Sequence, residues 1–340
     1  MAGPTGQAIT LDQYAKFANN PLITAATMSL YDTTNVMKDI PLRTIPTIKV
    51  NGARYTFLNN SAPNVNWVPL NTDPVLTQAI PVPWEEQLYL VRNGFRLDKR
   101  LKDDKNQYTD PLKSMFDAWM KALAYDFNYK FLYNDHVTGD ANAPVGINTR
   151  LVDPAYESPS DLLIDAGGVD MSSALTSSTA NRFINVLQSA FDHLGAFDGE
   201  NCVIYCGDSL VRAFEQGVRA LGSGGGFSMT KDAFDRDIPT YKQAKIRYIG
   251  RKMDQVTQII TPTELATGAQ STSGTYTSLY VVRYDDDHLH GWQPESLKPT
   301  YLGLNPITGV TYNVVVDWGI GLIQQDIRSF ARVYDIKVSP

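Results

Sequence analysis

Gly207-Asp208-Ser209-Leu210 follows the apolar run Cys202–Cys206, and Asp285 stands three residues before His288. A serine beside a histidine that a carboxylate orients is the arrangement of a hydrolytic nucleophile. His288 would take the Ser209 proton, and Asp285 would hold the imidazole in the right tautomer. The same stretch, Asp285-Asp286-Asp287-His288-Leu289-His290, offers donors to a divalent metal. His288 and His290 share a face if the segment is a strand. No third or fourth ligand follows at a recognisable spacing, so the reading adopted is an acidic turn, with no metal and no cofactor. Cys202 and Cys206 lie four apart on one strand face and read as buried thiols rather than a redox pair. Gly222, Gly224, Gly225 and Gly226 form a mobile glycine-rich loop. Phe227-Ser228-Met229 stands where phosphate binding needs Gly-Lys-Ser/Thr. Arg92, Arg96, Lys99, Arg100, Lys102 and Lys105 make the basic cluster, interleaved with Asp98, Asp103 and Asp104. It reads first as a solvated, salt-bridged face, then as a contact with an acidic neighbouring subunit, and only third as a DNA contact.

The Gly207–Leu210 block resembles the nucleophile block of the GDSL hydrolases, which implies a GDSL-type serine esterase using Ser209 and His288. Here the serine lies deep in the chain, and no Gly-x-Asn-Asp block supplies the family's oxyanion donor. A simpler account has a strand ending at Cys206 and Asp208 or Ser209 capping the next helix. The expectation is therefore a protein that is not an enzyme.

The elements that carry these residues come from a chain of 340 residues, enough for about two domains. Apolar residues are 43%, which permits a large core, and charged residues are 19%, below the usual share. The net charge of −6 argues against tight wrapping of nucleic acid. No apolar run is long enough for a membrane helix. The first residues lack a secretory signal, and two cysteines fit a reducing cytosol.

Residues 1–45 read as an arm. Thr10 and Gln13 have capping-box spacing ahead of one short helix, and a second follows over 23–30. Residues 47–50 and 53–58 flank Asn51-Gly52, a strong hairpin signal. A long segment rich in Asn and Pro follows to Pro83, then a strand over 86–97. Together these predict a projecting two-stranded flap that cannot bury its own faces. Asp110-Pro111 opens a long helix reaching about Tyr133, with Leu112, Phe116, Trp119, Leu123, Phe127 and Phe131 on one side. Residues 180–290 read as an α/β unit: helices around Phe183–Leu194 and Leu210–Leu221, and strands at 202–206, 245–249 and 278–284. Residues 261–277, rich in Thr, Ser and Gly, read as a flexible surface loop. Two more strands are expected over 312–322 and 329–338.

In this order the elements resemble the major capsid proteins of tailed bacteriophages, with the α+β Johnson, or HK-ninety-seven-like, fold. Three stretches carry the resemblance. Phe131-Leu132-Tyr133-Asn134-Asp135 with Pro144-Val145-Gly146-Ile147-Asn148 is similar to that family's helix exit, with His136 following where a glycine turn is usual. Leu279-Tyr280-Val281-Val282-Arg283 with Leu289-His290-Gly291-Trp292-Gln293 resembles the strand pair closing its apical domain. Asp317-Trp318-Gly319-Ile320-Gly321-Leu322 with Arg328-Ser329-Phe330-Ala331-Arg332-Val333 resembles its terminal strands.

The resemblance implies an N-terminal arm over 1–45, an extended loop over 46–101 lying on a neighbouring subunit, and a peripheral domain with its spine helix over 102–149. It implies an axial domain over 150–290 and a tail, 291–340, completing the peripheral sheet. Asn60, Asn64, Trp67, Trp84, Arg92, Arg96 and Arg100 would make inter-subunit contacts. The implied product is an icosahedral head of hexamers and pentamers enclosing double-stranded DNA, assembled in the host cytoplasm. Its implied partners are further copies, a scaffolding protein, a portal protein, a decoration protein and non-specifically held DNA. Because the chain begins almost at the arm and keeps Met1, a separate scaffolding protein is expected rather than a cleaved leader. No Lys lies between Asn51 and Val91, so no Lys–Asn crosslink through the flap is expected.

Overall fold

Pro111 presets the backbone angle of a first helical turn, and the spine helix α2 (Pro111–Tyr133) extends from it for 23 residues. This computed structural model describes residues 36–54, 67, 69–70, 72–73, 82–100, 111–156, 158–172, 177–221, 226–231, 237–271, 273–295, 297–305 and 309–338. The two helices read within 1–35 lie outside them. Along α2, Phe116, Met120, Leu123, Phe127 and Phe131 recur at helical spacing and are buried. The helix serves two sheets. Phe127 packs 6.4 Å from Trp318, and Phe131 meets Tyr205 edge-on at 6.1 Å.

One sheet has five strands. β1 (Leu42–Thr44), behind the short helix α1 (Val36–Asp39), pairs parallel with β11 (Leu289–Gln293). β11 and β12 (Lys298–Leu304) line one side of the long β13 (Thr311–Gln324), and β4 (Tyr89–Asp98) lines the other. The second sheet has seven strands. Its order is β5 (Leu163–Asp170), β14 (Phe330–Lys337), β10 (Tyr276–Arg283), β6 (Cys202–Cys206), β9 (Ala244–Tyr248), β8 (Asp237–Tyr241) and β7 (Phe227–Lys231). Helix α4 (Ser177–His193) packs on β5 and β14, and α5 (Asp208–Leu221) on β9 and β7. β6 is buried on both faces, as a central strand covered by helices must be.

Between α2 and the second sheet lies the six-residue helix α3 (Ile147–Val152). Asn134 shapes the turn that leads to it: its side-chain amide donates to the carbonyls of Asp140 (2.9 Å) and Pro144 (3.0 Å). The chain then passes so close to α2 that a Cβ on Gly146 would sit 2.6 Å from the Asn134 nitrogen and 2.7 Å from the Leu132 oxygen, which only glycine avoids. Asn148 accepts hydrogen bonds from the Tyr280 hydroxyl (3.1 Å) and the Arg332 guanidinium (2.9 Å). Thr149 donates to the Asn134 carbonyl at 2.9 Å.

Several expectations are corrected. Asn51-Gly52 is no turn: β2 (Lys49–Arg54) runs straight through it and pairs with β3 (Val82–Gln87). The residue that selects this is Trp84, opposite Gly52, whose ring lies where a Cβ would come within 2.6 Å. Glycine here gives room for an indole rather than a turn angle. The strand expected over 86–97 is two strands broken at Leu88, whose N–H donates to the Ile48 carbonyl at 2.8 Å. Only the first belongs to the ribbon; β4 joins the five-stranded sheet.

The tail divides between the sheets. β13 joins the five-stranded sheet, but β14 is inserted between β5 and β10 in the other, its residues buried on both faces. By the same division, the strands read as a closing pair, β10 and β11, lie in different sheets. The segment 261–277 is not a free loop. Glu264 is wholly buried, exchanges backbone hydrogen bonds with Tyr276, and accepts from Ser278 and from Arg332 (3.3 Å).

His290, on β11, is 1% exposed, and burial pushes its pKa down to about 4 from an ordinary 6.5. Arg43, paired with Asp286 beside it, adds to the effect. The imidazole is thus neutral in the folded chain while the unfolded chain takes up a proton first as pH falls. Stability from this residue is constant above pH 6.5 and declines towards pH 4, by about 3 kcal/mol in all. Urea unfolding across that range should show a slope that His290→Gln removes. An identical slope in the variant would contradict this.

Candidate assembly interface

The ribbon formed by β2 and β3 pairs six residues with six, and among the described residues neither strand joins another sheet. Asn51, Ala53, Pro83, Glu85 and Gln87 are exposed along it, and Lys49 and Glu85 form a surface ion pair. Ile48 is 75% exposed at its base. Among the described residues of the segment between the strands, Trp67 and Leu70 are 94% and 96% exposed. Large apolar side chains left this bare on a ribbon call for a covering surface.

The ribbon is nonetheless fixed where it leaves the body. Glu86 of β3 and Arg150 of α3, both buried, form a bidentate pair, with Arg150 Nη2 3.0 Å from Glu86 Oε2. Arg150 also donates to the Val145 carbonyl (3.1 Å) and to Gln324 at the end of β13 (3.3 Å), and stacks over Tyr156. Burial works against the guanidinium charge, but the Glu86 carboxylate outweighs it and holds the Arg150 pKa above its usual value.

Of the residues expected at inter-subunit contacts, Asn60 and Asn64 lie outside the described residues. Trp67 is bare, and Trp84 is half-buried over Gly52. Arg92 and Arg96 are exposed on the same face of β4, four residues apart, with Arg92 paired to Asp317 at 3.0 Å. Arg100 lies past the end of β4, its N–H donating to Asp98 at 2.8 Å. The described members of the set are therefore divided: Trp84 on the ribbon, Trp67 between its strands, Arg92 and Arg96 on β4 and Arg100 just past it. Sequence reading missed Glu86 and Arg150. Their one local sign is a cation set between Ile147 and Leu151 in an otherwise apolar helix face.

The hydrolase arrangement is not assembled. β10 runs antiparallel to β6 with Leu279 opposite Cys206 and Arg283 opposite Cys202. Ser209 follows the Cys206 end and His288 follows the Arg283 end, so a strand length of roughly 15 Å separates them at about 3.3 Å per residue. His288 Nδ1 does meet Asp285 at 2.6 Å, but this locks a turn. Ser209 Oγ is buried without a hydrogen-bond partner, in the first turn of α5. Cys202 and Cys206 are buried free thiols, and burial pushes Cys202 up to about 12 and Cys206 higher still, away from nucleophilic chemistry. Among the described residues no group of three or more His, Cys, Asp or Glu is placed to hold a metal, and no helix is long and apolar enough to cross a membrane.

Glu86→Gln leaves the Arg150 charge buried without its counter-ion and should cost about 3–5 kcal/mol of stability. Urea denaturation followed by tryptophan fluorescence measures this, with Trp84 reporting on the ribbon. The double variant Glu86→Gln/Arg150→Met should recover most of the loss. Equal or greater destabilisation in the double variant would show that the pair is not the anchor.

No family model and no curated protein matches the sequence. Solved structures match over most of it. The holo-SrpI encapsulin complex from Synechococcus elongatus is 10% identical, with a TM-score of 0.54 over 88% of this chain and 86% of that one. The capsid of the native GTA particle is 12% identical, with a TM-score of 0.52 over 100% of this chain and 96% of that one. The capsid of cyanophage P-SCSP1u is 11% identical, with a TM-score of 0.50 over 90% and 89%. At such identities the likeness is one of fold. Spine helix, projecting ribbon and two sheets thus make this a chain of the Johnson, HK-ninety-seven-like fold, the fold of these capsid and encapsulin structures.

Proposed function

We propose that the chain is the major capsid protein of a tailed bacteriophage, assembling into hexamers and pentamers of an icosahedral head around double-stranded DNA. The observation that carries this reading is a ribbon anchored firmly at its base yet, among the described residues, paired with no other strand, in a fold it shares with capsids. A two-stranded ribbon is marginal in water by itself, and a neighbouring copy provides the surface it lacks. Asn60, Asn64, Trp67 and Trp84 make that contact, while Arg92, Arg96 and Arg100 meet an acidic surface of the next subunit. Each contact is weak, and many copies in closed rings make the shell stable.

On this reading residues 1–45 are the arm and 46–101 the extended loop. The spine helix and the five-stranded sheet form the peripheral domain, and the seven-stranded sheet forms the axial domain. A scaffolding protein guides assembly in the host cytoplasm, a portal protein occupies one vertex, and a decoration protein can bind outside. A chain with net charge −6 suits a lining that packaged DNA slides along without binding tightly. The second reading is a shell that encloses no DNA, favoured by the likeness to the encapsulin structure.

Electron microscopy of the chain produced with its scaffolding protein tests the proposal. Closed shells with five- and six-membered rings are expected, and particles from infected cells should hold nuclease-protected DNA. A species that stays monomeric at every concentration contradicts any shell, and DNA-free particles from infected cells select the second reading. Trp67→Ala/Leu70→Ala should lower particle yield while changing monomer stability by only about 0.5 kcal/mol, as substitutions at exposed positions do. Ser209→Ala should leave assembly intact. An ester-hydrolysing activity lost in that variant would restore the esterase reading.

A further inference from the structure

Two Asn-Gly pairs occur in the chain, Asn51-Gly52 and Asn93-Gly94, and the fold treats them differently. We propose that Asn93 is a self-modifying site, converting without an enzyme to aspartate and isoaspartate through a succinimide formed with the Gly94 nitrogen. This does not depend on the capsid reading.

The reaction needs the following residue's backbone nitrogen to reach the side-chain carbonyl carbon. The Gly94 N–H donates to Asn93 Oδ1 at 2.8 Å, with both residues exposed. Since a carbonyl bond is about 1.23 Å, the Gly94 nitrogen lies within about 4 Å of the Asn93 Cγ. That is close to the separation at which bound reactants attack. Among the described residues β4 pairs with β13 alone, and the exposed Gly94 N–H is bonded to Asn93 rather than to a neighbouring strand, which leaves it free to make the small rotation that ring closure requires. Gly94 has no Cβ to obstruct that closure. In the ribbon, by contrast, the Trp84 ring packs directly against Gly52 and crowds the equivalent approach.

The Gly94 nitrogen gives its proton to solvent base and bonds to Asn93 Cγ. The Cγ–Nδ2 bond breaks, and the amide leaves as ammonia after taking a proton from water. Water then opens the ring at either carbonyl, giving aspartate or isoaspartate. No oxidant or reductant takes part. Either product places a carboxylate between Arg92 and Arg96 in the chain. The isoaspartate also adds a carbon to the backbone and disturbs the register of Asn93 with Val316 and Gly94 with Val315.

Peptide mapping by mass spectrometry of the purified full-length chain, held for weeks in mildly alkaline buffer, tests this. A gain of one mass unit at Asn93 should accumulate several times faster than at Asn51, and the two rates should converge when the chain is unfolded. Gly94→Ala should slow conversion by an order of magnitude. It should leave the unfolding temperature unchanged, because the added Cβ meets only the Val314 carbonyl at an ordinary 3.8 Å. Asn93 converting no faster than Asn51 in the folded chain, or conversion undiminished in Gly94→Ala, overturns the proposal.

Discussion

A carboxylate and a guanidinium removed together from water hold this molecule's two-stranded ribbon to its body. Glu86 and Arg150 would each be costly to bury alone. Paired, and with Val145 and Gln324 taking further donors of the guanidinium, they fix where the ribbon departs. The cost of separating them keeps the base of β3 in place. A projecting arm is useful in assembly only if its root has a defined direction. Flexibility at the root would raise the entropy lost at every contact made further out.

Helix α3 makes this possible by facing three ways within three residues. Successive positions on a helix point about 100° apart. Asn148 reaches the seven-stranded sheet through Tyr280 and Arg332, Thr149 reaches back to the spine helix, and Arg150 reaches the ribbon. A second buried pair, Asp39 with Arg247 at 3.3 Å, ties α1 to β9, and burial raises the Asp39 pKa despite that partner. The third, Glu264 with Arg332, draws an otherwise polar segment onto the sheet. Burial raises the Glu264 pKa as well. All three join segments far apart in the chain, so they specify how the elements dock more than they add to stability.

The spine helix was legible because its signals are local: Pro111 at the start, an apolar stripe through Phe131, and Asn134 at the exit. Cys202–Cys206 was legible as a buried strand for a similar reason, since five apolar residues between turn signals leave few alternatives. Asn51-Gly52 misled because the same two residues serve a turn or an indole contact, and Trp84, which decides between them, is more than thirty positions away. Residues 261–277 misled because their composition is that of a loop, while Glu264, the Gly268 and Thr275 carbonyls and the first residues of β10 tie them to the sheet. Gly207–Leu210 and the Asp-x-x-His spacing of Asp285 and His288 suggested a triad, and the antiparallel register of β6 and β10 separates Ser209 from that pair.

The sequence by itself determined the succession of helices and strands, the segment unable to cover its own faces, and a composition unsuited to tight nucleic-acid wrapping. These follow from turn chemistry, periodicity and charge, which act over a few residues or over the whole chain at once. Only the tertiary structure decided that β14 leaves β13 for the other sheet, that β10 and β11 part company, and that Arg150 and Arg332 find their carboxylates. A strand's alternation shows that it is buried but not against which neighbour. A buried charge shows that it needs a partner but not which one, because both choices are settled by docking of segments whose separation along the chain leaves no local trace.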